Sequence, residues 1–338
     1  MAFTSINNPE LYFQTKIYTG DGSTDVSHTF DGDEDMQANM IWFKRRSGSG
    51  NHFLYDSVRG ANRSLVPNDT DAEATSGEQT TYLTSFDSDG FTLGDDVNNI
   101  NASNETYVAW AWKESATAGF DIVSYTGNGS NRTISHSLSA KPAMILVKQR
   151  SASRDWWVYN KNLHGTDGAT GVLYLSTNDA AGTSATTSWN STAPTTSVFS
   201  LGTTVGVNAD SGTYIAYCFA EKQGFSKFGS YTGNGSATDG PFIYTGFRPA
   251  YVIAKEASGT GHWRIRDNKR SPINAVGIVS HANAATGDTT EDNIDFLSNG
   301  FKLYTSGAEN NGSGDTYIYA AFAEAPFVNS KGVPCNAR

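Results

Sequence analysis

The chain repeats itself, and a repeat constrains the fold more than any single motif can. Tyr-Thr-Gly-x-Gly-Ser begins at Tyr18, Tyr125 and Tyr231. An apolar run ending in lysine follows each: Ile41–Lys44, Ile145–Lys148 and Val252–Lys255. Twelve residues after each lysine stands Asp56, Asn160 or Asp267. Phe91-Thr-Leu, Phe199-Ser-Leu and Phe301-Lys-Leu come later. Each copy closes on a related string: Thr106–Glu114, Thr213–Glu221 and Thr316–Glu324. Five landmarks in one order and at similar spacing define three tandem copies of about a hundred residues. The domains are expected at 1–114, 115–221 and 222–327, with a short tail at 328–338. The connections lack a Pro-rich or Gly/Ser-rich spacer, so the copies are expected to pack against one another.

Each copy reads as all-β. The polar residues are mainly Gly, Ser, Thr, Asn and Asp, which supply turns, while 16 Tyr, 18 Phe and seven Trp favour strands. The lysine run and the aromatic run after it predict a hairpin, with turn-prone Ser47–Asn51, Ser151–Asp155 and Ser258–Gly261 between them. No segment has a sustained helical apolar period. The expected class is therefore all-β, with three antiparallel sandwich-like repeats of seven or eight strands in two sheets.

The closing strand alternates between a bulky face (Val108, Trp110, Trp112) and a smaller one (Tyr107, Ala109, Ala111). The second copy repeats this with Ile215, Tyr217 and Phe219 against Tyr214, Ala216 and Cys218. Neither face is polar, so the strand is expected to be buried on both sides. We assign the bulky face to the copy's own sandwich core and the small face to a neighbouring layer. Terminal copies of a linear stack tend to become polar caps. Here they keep the apolar face, which favours closure around a pseudo-threefold axis; the rival expectation is that this face is each copy's own second core layer.

With 24 basic against 34 acidic residues the formal charge is −10, which disfavours a general nucleic-acid binder. No apolar run is long enough for a helical membrane span, and the N-terminus lacks the pattern of a secretory signal. Cys218 and Cys335 form no disulfide framework. Six histidines show no zinc-ligand spacing, and neither a Gly-x-Ser-x-Gly elbow nor a phosphate loop is present. Asp87-Ser-Asp-Gly90 is not repeated in the other copies and reads as a surface turn rather than a calcium loop. The expectation is a protein with no metal, no cofactor and no catalytic residue.

Two sets of residues stand out. Lys44, Lys148 and Lys255 recur with Glu114, Glu221 and Glu324, and are read as an ion pair or a strand-end contact that fixes the fold of each copy. Trp156 and Trp263 hold matching places and are read as packing residues, whereas Trp189, in Thr-Ser-Trp-Asn-Ser-Thr, is the candidate glycan contact.

Particular strings also resemble a known family. Asp56-Ser-Val-Arg-Gly60, Leu83–Gly94, Tyr107–Lys113, Tyr214–Glu221, Phe225–Gly233 and Ala320–Phe327 look like a repeat family found in tailed phages of marine bacteria. The resemblance covers about residues 2–338 and carries over no catalytic residues. It implies a virion structural protein, assembled in the host cytoplasm, in a tail fibre or receptor-binding appendage that serves host attachment. Its implied partners are other virion proteins. The sandwich-like copy and its loop aromatics add a host cell-surface glycan as a further expected partner, and charge and hydropathy give no expectation of nucleic acid or membrane insertion. A capsid decoration protein and a lectin-like carbohydrate-binding module are the alternatives. A glycan depolymerase is disfavoured because no carboxylate pair recurs.

Overall fold

A computed structural model describes residues 4–77, 81–94, 99–183, 185–291 and 293–335. Residues 1–3, at the start of the first expected domain, and 336–338, at the end of the tail, lie outside them. The chain is nearly all-β, and its sheets are antiparallel.

The first segment supplies β1 (Phe13–Thr19), β2 (Val26–His28), β3 (Met40–Arg45), β4 (His52–Asp56), β5 (Gly60–Leu65), β6 (Leu83–Asp87), β7 (Gly90–Leu93) and β8 (Thr106–Trp112). They form a sheet ordered β1-β8-β3-β4-β5 and a smaller one ordered β2-β7-β6. The second segment supplies β9 (Phe120–Thr126), β10 (Arg132–Ser135), β11 (Pro142–Gln149), β12 (Trp157–Asn160), β13 (Leu173–Tyr174), β14 (Val198–Leu201), the one-turn helix α1 (Val205–Asn208) and β15 (Thr213–Ala220). Its sheets run β13-β12-β11-β15-β9 and β10-β14.

The third segment supplies β16 (Ser226–Thr232), β17 (Phe242–Tyr244), β18 (Phe247–Glu256), β19 (Arg264–Asp267), β20 (Ile278–His281), β21 (Thr289–Thr290), β22 (Ile294–Leu297), β23 (Gly300–Leu303), the one-turn helix α2 (Ala308–Asn311) and β24 (Thr316–Pro326). Its sheets run β16-β24-β18-β19-β20-β21 and β17-β23-β22. In every large sheet the closing strand lies between the opening strand and the lysine strand.

The Tyr-Thr-Gly landmark has a packing reason. Its tyrosine pairs with the first tyrosine of the closing strand, and the rings stack: Tyr18 on Tyr107 at 5.2 Å, Tyr125 on Tyr214 at 5.1 Å, Tyr231 on Tyr317 at 4.8 Å. The glycine two residues on lies against backbone. A Cβ there would sit 2.4 Å from the Ala102 carbonyl oxygen at Gly20, 2.1 Å from that of Ala209 at Gly127, and 2.2 Å from that of Gly312 at Gly233. Only glycine permits that approach.

The closing strands are buried on both faces, but the faces are allotted the other way round from the sequence expectation. Tyr107, Ala109 and Ala111 pack in the first segment's own core with Phe43, Phe53 and Phe91, and Tyr214, Ala216 and Cys218 pack likewise in the second. The bulky residues instead join one apolar cluster shared by all three segments. At its centre Met40, Trp42 and Trp112 meet Met144, Leu146 and Phe219, and Tyr251, Ile253 and Phe322, around a void of about 30 Å³. The physical reason is steric: small side chains let a segment's second sheet approach closely, and large ones reach across to other segments.

Candidate functional site

The recurring lysines and glutamates do not pair with each other. Antiparallel register places Lys44 opposite Val108, Lys148 opposite Ile215 and Lys255 opposite Ile318. Each glutamate lies six residues further along, at the other end of the ladder, roughly 20 Å away at about 3.4 Å per residue. Of the two expectations the ion pair is thus corrected by register, and each residue makes its contacts at its own end of the strands. Glu114 accepts the Ile122 backbone N–H at 3.0 Å, Glu221 pairs with Lys161 at 2.8 Å and Lys227 at 2.6 Å, and Glu324 pairs with Arg248 at 2.5 Å.

The three lysines are fully buried, with 0% exposure in each case. Their ammonium groups donate to backbone carbonyls: Lys44 to Arg45 at 2.7 Å, Lys148 to Thr70 at 3.0 Å and Gln149 at 3.1 Å, and Lys255 to Glu256 and to Gly259 at 3.2 Å. Burial lowers each pKa to about 8. The carbonyl oxygens supply part of the solvation that burial removes.

The lysines mark a set of contacts between segments. Six residues after each, a backbone N–H donates to another segment: Gly50 to Ala285 at 2.7 Å, Arg154 to Thr70 at 2.8 Å, Gly261 to Asn178 at 2.9 Å. Two residues after each lysine, a carbonyl receives the return bond: Arg46 from Asp288 at 2.9 Å, Arg150 from Glu73 at 2.9 Å, Ala257 from Ala181 at 2.8 Å. Eight residues after, a ring nitrogen reaches a carbonyl: His52 to His281, Trp156 to Val66 and Trp263 to Tyr174, each at 2.9 Å. Trp156 and Trp263 are accordingly buried.

Two of the three contacts also hold enclosed ionic networks. Asp56 accepts the Tyr217 hydroxyl at 2.6 Å and pairs with Arg59, whose guanidinium reaches Glu73 at 3.2 Å. Glu73 in turn pairs with Arg150 at 2.9 Å. Between the third and first segments the roles pass to Asp267, Arg270, Asp288 and Arg46, with Trp110 donating to Asp267 at 3.0 Å. The side chains of Asp56, Arg59, Asp267 and Arg270 have no solvent exposure. A substrate cannot reach them, so their chemistry is structural. Between the second and third segments the corresponding residues are Asn160, Leu163, Ala181, Ala257 and Ala320, all uncharged.

Sequence reading missed these networks because only landmarks present in all three copies were compared. The signal was present in two of them: arginine two residues after Lys44 and Lys148, and arginine three residues after Asp56 and Asp267.

Trp189 is also corrected. It is 2% exposed, its indole N–H donates to the Gly171 carbonyl at 2.9 Å, and its ring packs edge-on to Tyr159 at 5.8 Å. The polar residues around it remain outside while the ring turns into the second segment's core. It presents no surface to a glycan. Asp87 is held by Ser85 at 2.5 Å and Thr92 at 2.7 Å, and Asp89 accepts the Met36 N–H at 3.2 Å. Among the described residues no group of three or more His, Cys, Asp or Glu side chains is placed to hold a metal ion.

No curated protein and no solved structure matches the chain. A family model described as a domain of unknown function, DUF7483, matches residues 8–326. That span takes in all three segments, and the chain belongs to the DUF7483 family.

Proposed function

We propose that the chain is a structural component of a virion, in a tail fibre or receptor-binding appendage, built as three tandem β-sandwich copies closed around a common axis. The observation that carries the closed arrangement is the direction of the contacts between segments. The lysine loop of the first segment docks on the third, that of the second on the first, and that of the third on the second, through equivalent backbone atoms. This sense of rotation returns to its start, and the shared apolar cluster lies where such an axis would run. A monomer built this way offers a rigid three-lobed body, which suits a mechanical or attachment role.

The placement of the ionisable groups supports a structural role over catalysis. The strongest networks are enclosed between segments, and the recurring lysines spend their protons on backbone carbonyls. The virion setting rests on the resemblance of the repeat strings. Immunogold labelling of purified particles of the source phage tests it. Label at the tail or its fibres is expected; label on the capsid shell would reassign the chain to decoration, and absence from particles would refute a virion role.

A further inference from the structure

We propose that the contact between the second and third segments is a binding cleft for a neutral glycan chain. The proposal rests on the closed three-copy arrangement but not on a virion setting.

At the other two contacts charged side chains fill the corresponding space. Between the first and second segments the Arg150 guanidinium extends over the opening strand of its own segment, reaching the Ser124 hydroxyl at 3.3 Å and the Glu73 carboxylate at 2.9 Å. Those groups occupy the space beside the backbone bond from Glu73 to Arg150. The equivalent backbone bond, Ala181 to Ala257, forms between the second and third segments at 2.8 Å, so the two sides are held together in the same way. The side chains that would fill the space are truncated: Arg150 corresponds to Ala257, Glu73 to Ala181, and Arg59 to Leu163. A cleft of about 780 Å³ lies there, lined by Leu163, Ala181 and Ala257 among others. Ser230, the counterpart of Ser124, is left uncovered on its wall.

The lining chemistry narrows the ligand. Among the described residues no Asp, Glu, Lys or Arg lines the cleft. Its polar groups are chiefly the hydroxyls of Thr183, Ser230, Thr232 and Ser258, with the Asn162 amide and the His164 imidazole beside them. A carboxylate or sulfate would find no lysine or arginine there, only His164, to offset the loss of its water, whereas the other two contacts supply arginines. Sugar hydroxyls both donate and accept, matching serine and threonine, while the C–H faces of a pyranose suit Leu163 and the two alanines. The volume lies within the range of clefts that hold small ligands, roughly 300–1,000 Å³.

The test uses the full chain and a panel of neutral oligosaccharides: hexamers of glucose in α and β linkage, xylose, mannose and N-acetylglucosamine. Alginate and sulfated galactan oligomers serve as charged controls. Saturation-transfer NMR and calorimetry read binding. At least one neutral hexamer is expected to bind, with the charged controls at least tenfold weaker. Ala181→Glu with Ala257→Arg restores the ion pair of the other contacts and is expected to weaken binding at least tenfold while the protein remains folded. Binding by none of the neutral hexamers, binding that survives this double substitution, or a preference for the charged oligomers each overturns the proposal. A second variant separates its failure from that of the arrangement. Ala181→Cys with Ala257→Cys, in a Cys335→Ser background, forms an intramolecular disulfide if the second and third segments abut. If that crosslink forms and no sugar binds, the glycan proposal fails alone; if it does not form, the arrangement fails with it.

Discussion

The clearest energetic test is Arg59→Leu, because the molecule contains both an ionic and a neutral solution to the same local problem. Arg59 has a fully buried side chain that donates to Asp56 and Glu73, to the Leu54 carbonyl at 3.1 Å, to the Arg63 carbonyl at 2.8 Å and to Tyr217 at 3.2 Å. Removing it leaves the Asp56 carboxylate buried with, among the described residues, the Tyr217 hydroxyl and the backbone N–H of residue 59 as donors. Breaking one side of a buried pair costs about 3–5 kcal/mol. Asp56→Asn alone leaves the guanidinium with Glu73 as its remaining carboxylate partner and should cost about 3 kcal/mol, the low end of that range. Together the substitutions reproduce the Asn160 and Leu163 combination of the second segment. They remove both charges of that pair, leave Glu73 to Arg150, and lose chiefly the guanidinium's hydrogen bonds to the Leu54 and Arg63 carbonyls, each worth about 1 kcal/mol. The double variant should therefore lose about 2–3 kcal/mol, against roughly 7 for the additive sum. Urea unfolding at pH 7, followed by tryptophan fluorescence, measures all four corners of the cycle. Additive losses, or an Arg59→Leu cost below about 1 kcal/mol, would refute the claim that the pair is a coupled buried unit.

Three further outcomes are expected. Ala109→Asp and Ala216→Asp each bury a carboxylate on the small face of a closing strand, and each should cost several kcal/mol in the same assay; unchanged melting would show that face to be accessible. Trp189→Ala should destabilise by about 3–5 kcal/mol through loss of a buried ring while leaving glycan binding unaltered; the opposite pattern would restore Trp189 as a ligand contact. The lysines give a pH signature. Their folded pKa of about 8 lies below the unfolded value near 10.4, so the unfolded chain binds more protons between those limits, and stability should rise there by up to about 1.4 kcal/mol per pH unit for each lysine. Above pH 10 half-buried Tyr125 and buried Tyr217, raised by desolvation, reverse the trend because they stay protonated only when folded. A urea midpoint that does not rise from pH 8 to 10 would show that the carbonyls keep the ammonium groups fully solvated.

The sequence and the fold correspond most closely where local geometry is demanding. The Tyr-Thr-Gly landmark is legible because a stacked tyrosine and a glycine against backbone leave few substitutes, and the lysine hairpins because β pairing follows from adjacent runs. The closing strand illustrates a limit. A period of two identifies which residues share a face, as with Trp110 and Trp112, but not which layer that face meets. Lys44 and Glu114 illustrate another: recurrence at a constant separation gives no register, and only pairing shows them at opposite ends of a ladder. Trp189 misleads because its neighbours report the polarity of the loop rather than the direction of the ring. The cleft was not legible from the shared landmarks, since its mark is the absence of charges that the other two contacts carry.

The backbone bonds from Gly50, Arg154 and Gly261, with their return partners, are indifferent to side-chain identity. Mutation can therefore rewrite the chemistry of one contact without unfastening it. On the proposed three-copy arrangement, a chain latched through its main chain can keep two joints for strength and release the third to selection for novelty, so that one contact changes character at little risk to folding.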